Sequence, residues 1–388
     1  MIEQRIGLGD PASTRLRRAY GFEEIALVPG AVTVDPGEVD LSTEIGGQQL
    51  RIPFLAAAMD AVADSDFAIR FADAGGVAFV NLEGLYTRYD DAAPVIERVA
   101  VAETAQAAAS VLAEAYAAPV RDELIARLIG RIKDAGAVAA VATTPASAWQ
   151  HAEVAAEAGA DLFLVQSQVS SARHISTATR VLSLADLTGA LHLPVLVGNT
   201  VSGEAAYQLL HQGAAAILVG VGPGAACTTR EVLGIGVPQV SATLEVAAAR
   251  DRYAAETGRY VPVITDGGMR TGGDVAKAIA SGADAAMLGS PFAAAIEAPG
   301  RGFSWGMAAP SPTLPRGTRI RIGERLPLEQ ILFGPAQTSH GTQNLVGALR
   351  QSMAALGART IREMHSVEMV IAPAIATEGK SWQLAGRE

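Results

Sequence analysis

PVITDGGMRTGGDVAKAIASGADAAMLGS (262–290) contains two strands and the helix between them. PVITDGG (262–268) is apolar on consecutive residues and closes on paired glycines. GGDVAKAIASG (272–282) has helical spacing, a glycine ends it, and GADAAMLGS (282–290) begins the next apolar run. Runs that are apolar on every residue are expected of parallel strands covered on both faces. Strand, helix and strand in this order form one βαβ unit.

Working outward, the pattern recurs. GGVAFV (75–80), GAVAAVAT (136–143), GADLFLVQS (159–167) and GAAAILVGV (213–221) follow small-residue turns, and PFLAAAM (53–59) and PVLVGN (194–199) follow prolines. With the quoted pair this gives eight candidate strands, separated by Ala-rich helical segments such as ASAWQHAEVAAEAG (146–159). Eight such units close a barrel. The rival, an open doubly wound sheet, usually carries a glycine fingerprint after its first strand, and PFLAAAMDAVAD has none. The expectation is a single (β/α)8 TIM barrel over 1–388, with an N-terminal arm at 1–50. Residues 81–135 read as amphipathic helices rather than a second domain. The Gly- and Pro-rich stretch 298–345, centred on PSPTLPRGTRIRIG (310–323), reads as a lid or an excursion at the catalytic face.

Composition narrows the function classes. Hydrophobic residues at 49% supply a large core, and a net charge of −10 without a basic run argues against nucleic acid. The single cysteine cannot form an internal disulfide, which suits a reducing compartment. The N-terminus lacks a signal-peptide core, and no apolar run approaches the ~18 residues of a membrane span. A cytoplasmic protein with no membrane partner is expected.

Barrels carry their chemistry on loops after the strands. GVGPGAACTTREVLGIGVPQ (220–239) follows the sixth strand, and its glycines at 220, 222 and 224 allow tight turns that expose backbone groups. A lone cysteine is usually a buried small hydrophobe, but Cys227 sits in this loop, where a thiolate nucleophile can be activated. TDGGM (265–269) and LGS (288–290) end the last two strands. Their adjacent glycines suit one phosphate, with Asp266 at the same rim facing a sugar hydroxyl. The six histidines show neither HxH nor HExxH spacing, so a metal site of that kind is not expected.

Together, YGFEEIALVPGAVTVDPGEVDLST (20–43), IPFLAAAMDAVAD (52–64), the cysteine loop, VITDGGMRTGGDVAKAIASGADAAMLGS (263–290) and EAPG (297–300) resemble the IMP dehydrogenase/GMP reductase family over nearly the whole chain. PRGTRI, GFSWGM and VIAPAIATEGK are similar to its IMP dehydrogenase-related branch, which lacks the CBS pair; the segment after NLEGLY (81–86) is too short for that insert. The resemblance implies that Cys227 attacks C2 of a purine nucleoside monophosphate, assisted by Thr229. It places phosphate and ribose on Asp266, Gly267, Gly268, Gly289 and Ser290, with Gly306, Met307 and Ala308 along the purine and Met59 below it. A nicotinamide would stack near Asn199 and Gly220. A monovalent cation, K+ in this family, would take carbonyls of Gly222, Gly224 and Cys227. Self-association as a tetramer or octamer is also implied. Three positions depart from the pattern: Gln166 replaces an Asp on the nicotinamide ribose, Ala225 replaces a Ser on the phosphate, and Arg316 stands where a Glu or Gln meets the base.

Two reactions share a thioimidate at C2. IMP dehydrogenase forms it by passing hydride from IMP to NAD and then hydrolyses it, using an Arg-Tyr pair on a flap. GMP reductase forms it by expelling ammonia from GMP and quenches it with hydride from NADPH. No Arg-Tyr occurs in 300–335, which favours the reductase over the dehydrogenase. A barrel that binds nucleotide without turnover is the reading from another class.

Overall fold

A computed structural model describes residues 4–6, 14–175, 182–224, 227–306 and 319–372. Eight parallel strands close into a barrel in chain order: β1 (Phe54–Ala56), β2 (Val77–Asn81), β3 (Ala140–Thr143), β4 (Leu162–Gln166), β5 (Val195–Thr200), β6 (Ala216–Val219), β7 (Val263–Asp266) and β8 (Ala285–Leu288). Each lies within an expected run or overruns it by one residue. The consecutive apolar residues have a direct cause. On β4, Leu162 and Leu164 join Leu196, Leu218 and Ile264 inside the barrel, while Phe163 and Val165 pack outward against the helices. Both faces of each strand are therefore dry, as a closed parallel sheet requires.

The helical ring comprises α1 (Ser65–Asp73), α2 (Asp122–Asp134), α3 (Ala148–Glu157), α4 (Leu184–Ala190), α5 (Gly203–His211), α6 (Gln239–Thr257), α7 (Gly272–Ala280) and α8 (Leu345–Ala355). On α2 the buried residues Leu124, Ile125, Leu128, Ile129 and Ile132 form one stripe, each worth about 1.5–3 kcal/mol on full burial. At the N-terminal end of the barrel, strands Thr43–Ile45 and Gln48–Leu50 form a hairpin that inserts Ile45 and Leu50 as a plug. Strand Ile25–Leu27 pairs antiparallel with Met369–Ile371, clasping the two ends of the barrel chain.

Residues 81–135 are helical, as expected. Besides α2, helices Ala93–Val101 and Ala105–Tyr116 pack Val95, Ile96, Val99 and Leu112 around a small core of their own with Trp305. Within 298–345, strands Phe303–Ser304 and Ile320–Arg321 pair antiparallel, and a short helix spans Leu328–Phe333. Both described flanks of this stretch rest on the 93–116 helices. Trp305 Nε1 donates to the Tyr116 hydroxyl at 3.2 Å. From the other side, the Arg319 guanidinium donates to the carbonyls of Val99, Ala100 and Ala102 and lies over the Phe303 ring. Met307, Ala308 and Arg316, singled out from sequence, lie outside the described residues, as does Ala225.

Candidate active site

A cleft of about 1140 Å3 opens at the C-terminal ends of the strands. It brings together every described residue nominated from sequence: Met59 beyond β1, Gln166 on β4, Asn199 on β5, Gly220, Gly222, Gly224, Cys227 and Thr229 beyond β6, Asp266, Gly267 and Gly268 at β7, Gly289 and Ser290 beyond β8, and Gly306. Its volume lies just above the roughly 300–1,000 Å3 common for a small-molecule site.

Cys227 is exposed, and its Sγ lies 3.1 Å from Oγ1 of Thr229, which is buried. A turn closed by the Cys227 N–H to the Gly224 carbonyl, at 3.0 Å, presents the thiol. Arg230 secures the loop from behind by donating to the carbonyls of Val221 (3.2 Å) and Val237 (2.8 Å). At Gly220, φ is +147° and a Cβ would stand 2.3 Å from the Asp266 carbonyl, so the β6 and β7 ends meet only because this residue is glycine. Gln239, at the start of α6, joins the same two ends: its Nε2 donates to the carbonyls of Val219 (3.2 Å), Asp266 (2.9 Å) and Gly267 (3.3 Å).

Beyond β7, Gly267 and Gly268 both have positive φ, and a Cβ on Gly268 would lie 3.0 Å from Pro223 Cβ in the cysteine loop. A reciprocal cap follows, with Thr271 Oγ1 accepting from the Asp274 N–H and Asp274 accepting from the N–H groups of Thr271 and Arg270. The turn is thereby fixed to α7. The backbone N–H groups of Gly268, Gly289 and Ser290 have no acceptor among the described residues. These three donors on adjacent strand ends suit an anion. Arg270 stands at the same rim, paired with Glu23 at 2.8 Å.

Asp266 lies at the centre of a polar network. Its Oδ2 accepts from Asn199 Nδ2 (2.7 Å) and Gln166 Nε2 (3.0 Å), and Gln166 also donates to Asn199 Oδ1 (2.9 Å). Burial pushes the Asp266 carboxyl up to about 6, against the pull of those two donors. Gln166 and Asn199, expected on the cofactor, are thus engaged with the carboxylate expected on the sugar.

Sequence reading missed the opposite wall. Glu83, just past β2, and Thr144, just past β3, also line the cleft. Burial raises the Glu83 carboxyl, but hydrogen bonds from Thr144 and Thr143 outweigh it and hold the group below the usual range. No motif marks NLEGLY, and its role depends on a neighbouring strand about sixty residues away in sequence. No group of three or more His, Cys, Asp or Glu side chains suited to a metal exists among the described residues. No helix among them is long and apolar enough to cross a membrane.

Residues 19–308 match the family model described as IMP dehydrogenase / GMP reductase domain. An uncharacterized oxidoreductase of Mycolicibacterium smegmatis is 38% identical over 96% of this chain and 100% of its own length. The inosine-5'-monophosphate dehydrogenase of Methanocaldococcus jannaschii is 27% identical, with 90% of this chain and 91% of that protein covered. A crystal structure of an IMP dehydrogenase/GMP reductase-like protein from Corynebacterium glutamicum superposes with a TM-score of 0.89 at 35% identity, covering 95% of this chain and 97% of that one.

Proposed function

Since the chain belongs to the IMP dehydrogenase/GMP reductase family, we propose that it acts at C2 of a purine nucleoside 5'-monophosphate through a covalent adduct on Cys227. The observation that carries this reading is the Cys227–Thr229 pair, held at 3.1 Å in the same cleft as the N–H groups of Gly268, Gly289 and Ser290, which have no acceptor among the described residues. Those donors anchor the phosphate, Asp266 accepts from the ribose hydroxyls, and the base then lies toward the cysteine loop. Thr229 hydrogen-bonds the sulfur and is placed to pass a proton at that centre. The carbonyls of Gly222 and Cys227 take no N–H among the described residues, and with that of Gly224 they would hold a monovalent cation that stiffens the loop. The second ligand is a nicotinamide dinucleotide, which supplies hydride exchange at C2 when bound.

The direction we favour is oxidation of IMP: the thiolate adds to C2, hydride leaves with its electron pair to the dinucleotide, and water then displaces the sulfur to give XMP. Its support is the named reaction of the relative from Methanocaldococcus jannaschii. This reverses the preference drawn from the missing Arg-Tyr pair. That absence still favours the second reading, reduction of GMP with release of ammonia. Arg319 is committed to the helix carbonyls, which takes it away from the role of base in hydrolysis of the adduct. The test is an ultraviolet assay with IMP plus NAD and, separately, GMP plus NADPH, with mass spectrometry of quenched protein. XMP and NADH in equal amounts with a transient adduct on Cys227 support the first direction. NADPH consumption with ammonia release establishes the second, and absence of adduct and of turnover in both overturns the C2 chemistry.

A further inference from the structure

We propose that Glu83 sets the cofactor preference of the cleft: its fixed carboxylate accepts a hydroxyl of an unphosphorylated dinucleotide and repels the additional phosphate of the phosphorylated form. The inference rests on the reading of a dinucleotide as the second ligand. In a closed eight-stranded barrel, β2 and β3 lie across the mouth from β6 and β7. With a mononucleotide held between the cysteine loop and the anion-binding glycines, the β2–β3 wall is left for whatever binds second.

On that wall Glu83 is held by one oxygen. Its Oε1 accepts from Thr143 Oγ1 (3.0 Å), the Thr144 N–H (3.0 Å) and Thr144 Oγ1 (2.7 Å). Thr143 is in turn 2.7 Å from Nδ1 of the buried His151, whose pKa is lowered by burial against the pull of the nearby Glu83 carboxylate. These distances fit a chain in which His151 Nδ1 donates to Thr143 and Thr143 to Glu83. Oε2 accepts nothing from the described residues and is left for the cleft. Arg88 donates to the backbone carbonyls of Glu83 and Ala118.

A carboxylate so well supplied with donors is a weak proton acceptor, which suits recognition rather than base catalysis. Of the described residues lining the cleft, Arg270 is the only Lys or Arg, and it stands on the β7 side against Glu23. Among the described residues, the β2–β3 wall thus offers a phosphate one fixed negative charge and no cation, whereas it offers a ribose hydroxyl a charge-assisted acceptor.

The test is titration calorimetry of NAD and NADP into protein saturated with IMP, in a Cys227→Ser background that prevents turnover. NAD is expected to bind at least about tenfold more tightly than NADP, and Glu83→Gln to reduce that ratio to within about threefold while leaving the IMP constant unchanged. In the Cys227→Ser protein with Glu83 intact, added salt should raise NADP affinity relative to NAD by screening the repulsion, a measurement that holds even if the glutamine variant fails to fold. A ratio that ignores Glu83, a preference for NADP, or binding of neither dinucleotide overturns the proposal. Failure of the C2 chemistry shows separately, as absence of a Cys227 adduct in the wild type, and leaves the binding ratio readable.

Discussion

Asp266→Asn is expected to stabilise the ligand-free protein above pH 6 while weakening its grip on a nucleotide. Burial lifts the carboxyl from 3.8 to about 6, so the folded chain holds this proton more tightly than the unfolded chain does. The stability this confers is complete below about pH 4, falls as pH rises toward 6, and is replaced above 6 by the full cost of a buried charge. A shift of that size corresponds to about 3 kcal/mol, and because the carboxyl is partly open to the cleft, solvent reduces it to about 1–2 kcal/mol. Asparagine keeps an acceptor for Asn199 and Gln166 but never ionises. Urea unfolding of wild type and variant without nucleotide, followed by circular dichroism, should therefore show the variant more stable by about 1–2 kcal/mol at pH 8 and by about half that at pH 5. A variant less stable at pH 8, or a gain equal at both values, refutes the burial argument. With IMP present the order should invert, since a charged acceptor for the ribose is gone, at a cost of about tenfold in affinity.

Cys227→Ser should reduce turnover to below a few per cent of wild type while IMP affinity stays within about twofold, because the phosphate donors lie elsewhere. Iodoacetamide should label Cys227 in the folded protein and IMP should protect it; labelling only after denaturation would count against a cleft thiol. Gly268→Ala forces a Cβ onto Pro223 at positive φ, so strain of about 1–3 kcal/mol should appear as a lower unfolding midpoint and weaker IMP binding together. Arg319→Ala strips the donors from three helix carbonyls and should cost about 1–3 kcal/mol by denaturant titration, with Cys227 labelling unchanged.

The barrel was legible because its strands carry a signal that survives translation into one dimension: in GADLFLVQS each residue from Leu162 to Val165 faces either the barrel interior or the helices, and both are apolar. The glycine-rich strand ends were legible for the same kind of reason, since positive φ and close approach constrain residue type locally. Glu83, Thr144 and Gln239 were not. Their side chains are ordinary for a solvated loop or a helix start, and only the closure of the barrel brings Thr143 to Glu83 or the β6 and β7 carbonyls to Gln239. The hairpin at 43–50 was read as part of an arm, because nothing in EIGGQQL announces that Ile45 will stopper a barrel. The anchoring of Arg319 was equally hidden, because its three carbonyl partners lie some two hundred residues earlier in the chain.

The amide of Gln239 has a mechanical consequence. It is the first residue of α6, a rod of 19 residues and about 28 Å that runs back along the barrel wall. Partway along, the buried Arg250 pins that rod to the Gly282 carbonyl and the Asp284 carboxylate just before β8. The rod thus has a pivot near its middle and a hook at its upper end that grips the β6 and β7 rims at once. Any tilt of α6 about Arg250 moves the base of the cysteine loop and the backbone of Asp266 in concert. The spacing between the reacting sulfur and the sugar carboxylate behaves as one rigid gauge, set from outside the cleft by the seating of a single helix.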